Sequence, residues 1–116
     1  MELREIARRL NLECLTPEMA EELGADIIHG HSTDLLSDVL ARAESGGLLV
    51  TIQTQLHVIA VAVHAQQAGV ILSADRPPEE EVIRKAVEEK VPLFVSPRST
   101  FDLVGRLYAL GVRGAF

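Results

Sequence analysis

The stretch LLVTIQTQLHVIAVAVHAQQAGVIL, residues 48–72, decides the fold of this chain. It begins with a continuous apolar run, Leu48 to Ile52, which is typical of a strand buried on both faces of a sheet. A helix is predicted from about Leu56 to Ala68, with Gly69 as its C-terminal stop. Val70 to Leu72 then forms another buried strand. Two buried strands joined by one helix predict a βαβ unit with parallel strands.

The same alternation of helix and strand extends outward from this unit in both directions. Further strands are predicted at Leu12 to Leu15, Asp26 to His29 and Val91 to Val95. Two helices are predicted before residue 25: an N-terminal one with Leu3, Ile6, Ala7 and Leu10, and a short one from Thr16-Pro17-Glu18 to Gly24. A third is capped by Ser32 or Thr33 and ends at about Ala43, and a fourth starts at Glu79-Glu80-Glu81. The final helix follows Ser99-Thr100, ends at Gly111 and is predicted to bury Leu103, Val104, Leu107 and Leu110.

This pattern predicts an α/β fold: a single domain over residues 1–116, with a mostly parallel sheet of about four to five strands and helices on both faces. A chain of 116 residues is long enough for one domain. Its formal net charge of −6 argues against a nucleic-acid partner, because such a partner needs a basic face. No apolar run approaches the ~18 residues of a membrane span, and the charged N-terminus lacks a secretory core. We therefore expect a cytoplasmic protein, in which Cys14 is a small buried hydrophobe.

Polar residues are concentrated at the predicted strand-to-helix junctions. In a parallel sheet these junctions and the following helix N-termini lie at one edge, where small ligands usually bind. A small polar or anionic ligand fits such an edge, whereas the simpler interpretation is that the same residues only cap their helices. The four junctions are His29-Gly30-His31-Ser32-Thr33-Asp34, Gln53-Thr54-Gln55-Leu56-His57, Ser73-Ala74-Asp75-Arg76 and Ser96-Pro97-Arg98-Ser99-Thr100.

Seven residues of these junctions are candidates for ligand binding. Gln53, Gln55 and His57 are not usual helix caps, so they favour the ligand interpretation. Hydroxyl residues further along are interpreted as caps instead, namely Thr33, Ser99 and Thr100. The candidate ligand-binding set is Gly30, Ser32, Gln53, Thr54, Gln55, His57 and Asp75.

The histidines raise the question of a metal. His29 and His31 would share one face of a strand, and Asp34 or His57 would have to supply a third ligand. No HExxH spacing is present, so the sequence predicts neither a metal nor another cofactor.

Catalytic motifs are also missing: the chain has no GxxxxGK[ST], GxGxxG, GxSxG or CxxC sequence. Asp34, Asp38 and Arg42 follow one another at helical spacing, which is typical of a ladder of surface charges. Asp75 and Arg76 fit either a phosphate clamp or a loop ion pair. We expect a protein that is not an enzyme, with His31 or His57 as general base in the enzymatic alternative.

The helix predicted at 56–68 is apolar almost all round. A helix that covers one face of a small sheet normally keeps a polar side. A second chain covering the remaining side would explain the pattern, and small residues such as Ala60 and Ala62 would permit close approach. We therefore expect a homodimer or a higher homo-oligomer.

Residues 10–15, 32–62, 73–86 and 91–112 together resemble the DRTGG domain family, with TDLLSDV and TIQT as the most specific marks. More closely, the chain resembles the small stand-alone members found near iron-only hydrogenase genes. The family is also similar to the N-terminal domain of HPr kinase/phosphorylase. The DRTGG signature falls near residues 26–30, where His29 replaces the first glycine and Gly30 matches the second.

This resemblance implies a regulatory domain, since relatives are parts of phosphotransacetylases and of pyrophosphatases with nucleotide-sensing modules. The function expected for this chain is non-catalytic: binding of a small anionic metabolite or nucleotide, in association with a redox (hydrogenase) system. A redox-enzyme partner is expected on the same grounds. The alternative is a structural interaction or dimerisation module without a small ligand. The kinase activity does not carry over, because the chain lacks the phosphate-binding loop.

Overall fold

A five-stranded sheet with the order β1-β5-β4-β3-β2 forms the centre of the molecule. In the computed structural model, which describes residues 1–17 and 19–115, β2 to β5 are parallel and β1 pairs antiparallel with β5. The predicted α/β fold with a mostly parallel sheet is therefore confirmed. The strands are β1 (Glu13–Cys14), β2 (Gly30–Ser32), β3 (Leu48–Thr51), β4 (Gly69–Leu72) and β5 (Leu93–Val95).

Helices cover both faces of this sheet. The strands β2, β3, β4 and β5 follow one another in a single direction across the sheet. Right-handed crossovers that step in one direction place their helices on the same face, so α2, α3 and α4 share one face while α1 and α5 cover the other. The helices are α1 (Leu3–Arg9), α2 (Leu36–Arg42), α3 (His57–His64), α4 (Glu80–Glu88) and α5 (Thr100–Ala109), with one turn of 3-10 helix at Glu22–Gly24.

The two faces of each central strand feed two separate apolar cores. Leu49 and Leu72 point towards α2, α3 and α4, whereas Leu48 and Ile71 point towards α1 and α5. All four side chains are essentially removed from water, and each such burial contributes about 1.5–3 kcal/mol. Burial on both sides explains why these strands are continuous apolar runs in the sequence.

The strand predicted at Asp26 to His29 is wrong, because β2 begins only at Gly30. The segment before Gly30 pairs mainly with the two ends of the chain, and its bond to β3 is the one that the His29 carbonyl accepts from Leu48 N–H (2.9 Å). The backbone N–H of Ile27 donates to the Met1 carbonyl, and Arg113 N–H donates to the Ile28 carbonyl. An apolar pair such as Ile27-Ile28 indicates an extended, buried segment, but it does not show which other segment will form backbone hydrogen bonds with it.

Two predicted helix ends also differ from the structure. Neither Ser32 nor Thr33 caps α2: Ser32 lies in β2, and the Thr33 hydroxyl accepts from Leu35 N–H (3.1 Å) in a local turn before the helix. The predicted stop at Gly69 is wrong as well, since α3 ends at His64 and Gly69 is the first residue of β4. The chain leaves α3 through a left-handed residue, Gln66, with a φ of 54°.

The helix predicted from Thr16 to Gly24 is too long. Of the described residues in that range, those at Glu22–Gly24 are helical, and they form one turn of 3-10 helix. Glu18 lies outside the described residues. The buried Thr16 hydroxyl accepts from Leu93 N–H (3.1 Å), so it satisfies a backbone group of β5 instead of capping a helix. The strand expected around Cys14 is confirmed as β1, but its thiol is only partly buried.

Candidate functional site: the rim of the sheet

The carboxyl ends of the four parallel strands lie at one edge, as the sequence predicts. Ser32 lies beside Val50, and Leu72 lies beside both Thr51 and Val95. The four segments that follow these ends, residues 33–35, 52–56, 73–79 and 96–99, are called the rim below. The four segments lead directly into the N-termini of α2, α3, α4 and α5, in that order.

In the β2–β3 half of the rim, one carboxylate connects two junctions. Asp34 Oδ1 accepts from the buried Thr51 hydroxyl (3.0 Å) and from the backbone N–H of Ile52 (2.9 Å). Gln53 returns the connection, because its Nε2 donates to the Asp34 carbonyl (3.0 Å). The Thr51 hydroxyl oxygen also accepts from Gln53 N–H (3.1 Å). Asp34 therefore holds this half of the rim together.

In the β4–β5 half, the backbone itself makes the connections. The N–H of Ala74 donates to the Arg98 carbonyl (2.7 Å), and the N–H of Asp75 donates to the Ser96 carbonyl (2.9 Å). Ala74 and Asp75 both have left-handed backbones, with φ of 63° and 56°. Beneath them the Ser73 and Thr100 hydroxyls lie 2.5 Å apart. The left-handed backbone of these two residues is strained, and in this conformation their N–H groups donate to the neighbouring loop.

The connections that leave β4 and β5 go to opposite faces of the sheet, to α4 and α5 respectively. Such a divergence opens a crevice at the carboxyl edge of an α/β sheet. A pocket of about 360 Å³ lies there, lined by Asn11, Leu12, Glu13, Asp75, Val95, Ser96 and Pro97. Residues 11–13, at the start of β1, form one wall of this crevice.

A second rim cavity lies between the starts of α3 and α4. Its volume is about 200 Å³, and its walls are Thr54, Gln55, Leu56, Glu79, Glu81 and Val82; it is called the α3–α4 cleft below. The Thr54 hydroxyl and the Gln55 amide offer hydrogen-bond donors and acceptors, and Glu79 and Glu81 offer acceptors with negative charge. Leu56 and Val82 supply apolar wall. The arrangement is suited to a small polar molecule with donors of its own.

Both rim cavities carry acidic residues. Glu79 and Glu81 line the α3–α4 cleft, and Glu13 and Asp75 line the crevice at β4 and β5. Carboxylates in a confined space repel a bare anion. The charge of the rim therefore favours a neutral or cationic group in these cavities, or an anion that arrives with a metal ion.

The structure distributes the seven candidate residues over several places. Thr54 and Gln55 lie together in the α3–α4 cleft, with His57 exposed on the adjoining first turn of α3. Gln53 is bound to Asp34, and Asp75 lies in the separate crevice. The remaining two, Gly30 and Ser32, line a cavity on the face covered by α5.

That third cavity lies between β2 and α5 and is called the α5 cavity below. It has a volume of about 140 Å³ and mainly aliphatic walls, including Val50, Leu107 and Val112. A Cβ atom on Gly30 would lie 3.0 Å from Val112 Cγ1. A larger residue at this position would therefore require Val112 to shift, so close packing of the chain after α5 against the sheet favours glycine there.

The charge ladder predicted for α2 is half right. Asp38 pairs with Arg42 (3.5 Å) as expected, and it also contacts His31 Nε2 (2.9 Å). Asp34 is not part of the ladder, because its carboxylate turns towards β3. Within the described ranges 1–17 and 19–115, no group of three or more His, Cys, Asp or Glu side chains is arranged to hold a metal ion.

The three predicted caps have different outcomes. Ser99 caps α5, since its hydroxyl accepts from Asp102 N–H (3.2 Å). Thr100 is wrong as a cap, because it is the first residue of α5 and its hydroxyl contacts Ser73. The Thr33 hydroxyl makes the turn described above and does not cap α2.

The apolar surface of α3 is largely covered within the chain. Val58, Ile59 and Ala62 are buried against the sheet, and Val61 and Ala65 pack at the margins of the same core, where α2 and α4 flank α3. Ala62 is therefore unavailable to a second chain. Ala60 and Val63 of the same helix remain exposed, so this packing weakens the argument from α3, and the homo-oligomer stays a prediction.

The comparisons with known proteins place the chain in a family. The DRTGG domain family matches residues 5–110, and the chain belongs to this family. The fold resembles that in the crystal structure of the CBS and DRTGG domains of the regulatory region of Clostridium perfringens pyrophosphatase complexed with its activator, diadenosine tetraphosphate. The TM-score is 0.74 at 14% identity, over 96% of this chain and 47% of that one. The chain thus spans about half the length of that structure. No curated protein matches the chain.

No helix within residues 1–17 and 19–115 has both the length and the apolar character needed to cross a membrane.

Proposed function

We propose that this chain is a non-catalytic regulatory domain that binds a small polar ligand in the α3–α4 cleft. The observation that carries the proposal is the pairing of Thr54 and Gln55 with Glu79 and Glu81 around one rim cavity. These four side chains take little part in the described contacts that stabilise the fold. Asp34 differs from them, because its hydrogen bonds connect two junctions of the β2–β3 half. Polar groups that are not needed for the fold are available for a ligand.

A nucleotide is the ligand class that we propose first. The regulatory region of the structurally similar pyrophosphatase was crystallised with a nucleotide activator. In the present chain the carboxylates of Glu79 and Glu81 favour the hydrogen-bond donors of a base or ribose. The phosphates of an anionic ligand would then lie outside the cleft or carry Mg²⁺.

Thermal denaturation tests this proposal, since a ligand that binds only the folded chain raises its stability. The panel consists of adenosine, its mono-, di- and triphosphates and diadenosine tetraphosphate, each with and without Mg²⁺. At a ligand concentration of about 100 Kd the expected gain is about 2.7 kcal/mol. Gln55→Ala should abolish the gain, whereas Gln66→Ala, at an exposed glutamine remote from the rim, should preserve it.

The result that contradicts the proposal is equally direct. A melting temperature that none of these compounds raises removes the nucleotide class. A gain that Gln55→Ala leaves intact would move the ligand away from the α3–α4 cleft.

The second candidate function is an interaction module, and an exposed apolar stripe on α5 favours it. Phe101 and Tyr108 are 92% and 58% exposed on this helix. We propose that this surface serves homo-oligomer formation, and that a redox enzyme of the hydrogenase system is the partner that the domain regulates in the cytoplasm. Co-purification of the chain with that enzyme tests the second part.

The enzymatic alternative has less support. His31, one proposed general base, is engaged with Asp38 (2.9 Å). His57, the other, lies on an exposed helix turn beside the cleft. We therefore propose no catalytic step for either histidine.

A further inference from the structure

The α5 cavity differs from the two rim cavities in its charge. None of the described residues that line it carries a carboxylate, and one of them, Arg113, carries a guanidinium. The rim cavities have acidic walls instead, formed by Glu79 and Glu81 in one and by Glu13 and Asp75 in the other. Acidic walls repel an anion, whereas a guanidinium attracts it. Of these three cavities, the α5 cavity is therefore the one that suits an anionic ligand.

We propose that the α5 cavity binds a small monocarboxylate with a compact apolar part of about six carbon atoms, such as an aromatic acid. The apolar part lies inside the cavity, and the carboxylate lies at its mouth against the guanidinium of Arg113. This site is separate from the α3–α4 cleft and does not depend on the ligand proposed there. Size, access and the available hydrogen-bond donors each support the proposal.

The size and the walls of the cavity define the apolar part of the ligand. The volume is about 140 Å³, and the walls include the buried side chains of Val50, Leu107 and Val112. An apolar cavity of about 150 Å³ inside a protein holds one benzene molecule. Burial of such a group is favourable because it removes apolar surface from water. A benzene ring, or an alkyl group of that size, therefore fits the α5 cavity.

The cavity can be reached from the surface of α5. Val104 and Tyr108 line both the cavity and an adjoining open groove of about 650 Å³, whose wall also includes Phe101. Val104 is 37% exposed, so the sequence prediction that it is buried is wrong. None of the described residues that line the groove is charged. An apolar group can therefore enter the α5 cavity along this groove without displacing an ion pair.

Arg113 is held in position by the chain and still keeps donors for a ligand. Its guanidinium carbon lies 3.8 Å from the centre of the Tyr108 ring. Its Nη1 donates to the carbonyls of Tyr108 (2.6 Å) and Val112 (3.3 Å). The N–H groups on Nε and Nη2 have no acceptor among the residues that the structure describes. That edge of a guanidinium can bind a carboxylate through two parallel hydrogen bonds.

No carboxylate of the described residues competes for Arg113. The other two arginines near α5, Arg98 and Arg106, are both paired with Asp102 (3.1 and 2.9 Å). Ser32 adds a further donor, since its exposed hydroxyl lines the same cavity and makes no hydrogen bond to the described residues. A carboxylate at the mouth of the cavity would thus find a positive charge and unused donors together.

An NMR titration of the full chain with three probes tests the proposal. Benzoate combines the ring with the charge, benzamide has the ring without the charge, and acetate has the charge without the ring. Benzoate should cause saturable amide shifts centred on residues 30–32, 107–108 and 112–114, which line the cavity. Benzamide should bind about 10- to 100-fold more weakly, because it lacks hydrogen bonds to a charged group. Acetate should cause no saturable shifts.

Arg113→Gln separates the role of the charge from that of the cavity. The affinity of this variant for benzoate should fall to its affinity for benzamide, and its affinity for benzamide should equal that of wild type. Unchanged benzamide binding also shows that the cavity is intact in the variant. Arg84→Gln is the matched control, because it removes the same charge from an exposed arginine of α4 on the other face of the sheet. It should bind benzoate like wild type.

Four results would each overturn the proposal: no saturable shifts with benzoate, shifts centred away from the α5 cavity, benzamide binding as tight as benzoate binding, or equal benzoate affinity in Arg113→Gln and wild type. Gln55→Ala should bind benzoate like wild type, since Gln55 lines the α3–α4 cleft. The benzoate and nucleotide titrations therefore test the two sites independently, and failure of one proposal leaves the other standing.

Discussion

The two halves of the rim are built by different means. In the β2–β3 half the side chain of Asp34 accepts from Thr51 and Ile52, so a single carboxylate fixes the geometry. In the β4–β5 half the junctions are joined by backbone hydrogen bonds, and two residues with positive φ, Ala74 and Asp75, provide the turn. Substitution of one side chain should therefore disrupt the first half, while the second should respond mainly to changes in backbone freedom.

The largest effect is expected for Asp34→Ala. The substitution leaves the buried Thr51 hydroxyl and the Ile52 N–H without their acceptor. An unsatisfied buried polar group costs about 1–3 kcal/mol, so we expect a loss of that size in the free energy of unfolding. Urea denaturation followed by circular dichroism measures it.

Asp34→Asn is the matched control, since its Oδ1 retains an acceptor and the loss should be clearly smaller. In a double-mutant cycle, Thr51→Val combined with Asp34→Ala should cost less than the sum of the two single changes. Additive costs would mean that the Asp34–Thr51 hydrogen bond does not stabilise this half.

A smaller effect of opposite sign is expected for Ala74→Gly. Ala74 has a φ of 63°, a conformation that costs an L-residue about 1–2 kcal/mol and that glycine adopts readily. Part of the gain is lost because glycine also increases the entropy of the unfolded chain. We expect a net stabilisation of up to about 1 kcal/mol, measured by the same urea denaturation.

Gly46→Ala provides the comparison for that variant. Gly46 has a φ of 82° and open space around its Cβ position, so only the backbone term changes and the chain should become less stable. If Ala74→Gly destabilised the chain as well, the turn in the β4–β5 half would not be held by backbone conformation as described.

The smallest effect is expected from pH, at the start of α5. The pKa of Asp102 lies below its ordinary value of 3.8, chiefly because Arg106 donates a hydrogen bond to it and also because of Arg98. The resulting stabilisation is present above pH 3.8 and is lost as the pH falls through the lowered pKa. Because the Asp102 carboxylate is exposed to solvent, the contribution is small and should decrease with added salt.

Titration of the Asp102 carboxyl carbon by NMR checks this expectation. Arg106→Gln should move the midpoint back towards the ordinary value. A midpoint that is the same in Arg106→Gln and wild type would show that the ion pair does not persist in solution.

The sequence predicts the parallel sheet and the shared edge because both follow from a strong periodic pattern. Leu48–Thr51 and Gly69–Leu72 are buried on two faces and can be little else than central strands. The edge strand is harder: β2, at Gly30–Ser32, has only partly buried and exposed residues. Its apolar neighbours Ile27 and Ile28 give a stronger signal, so the sequence predicts the strand at Asp26 to His29 instead.

Within the site, the sequence identifies the polar junctions but does not show which of them line the same cavity. Thr54 and Gln55 share a cleft, whereas Gly30 and Ser32 lie under α5, because β2 is short and α5 extends back across the sheet towards it. Asp34 was missed as the residue that organises the rim. Its available signal was Thr51, a hydroxyl at the end of a buried strand, which needs a hydrogen-bond partner close by.

The most direct test of the ligand proposal is a map of amide chemical-shift changes during titration with adenosine triphosphate and diadenosine tetraphosphate, with and without Mg²⁺. The account predicts saturable changes centred on residues 54–57 and 79–82, which surround the α3–α4 cleft, and their loss in Gln55→Ala. Changes confined to the exposed side of α5 at Phe101, Val104 and Tyr108, or no saturable changes anywhere, would contradict it.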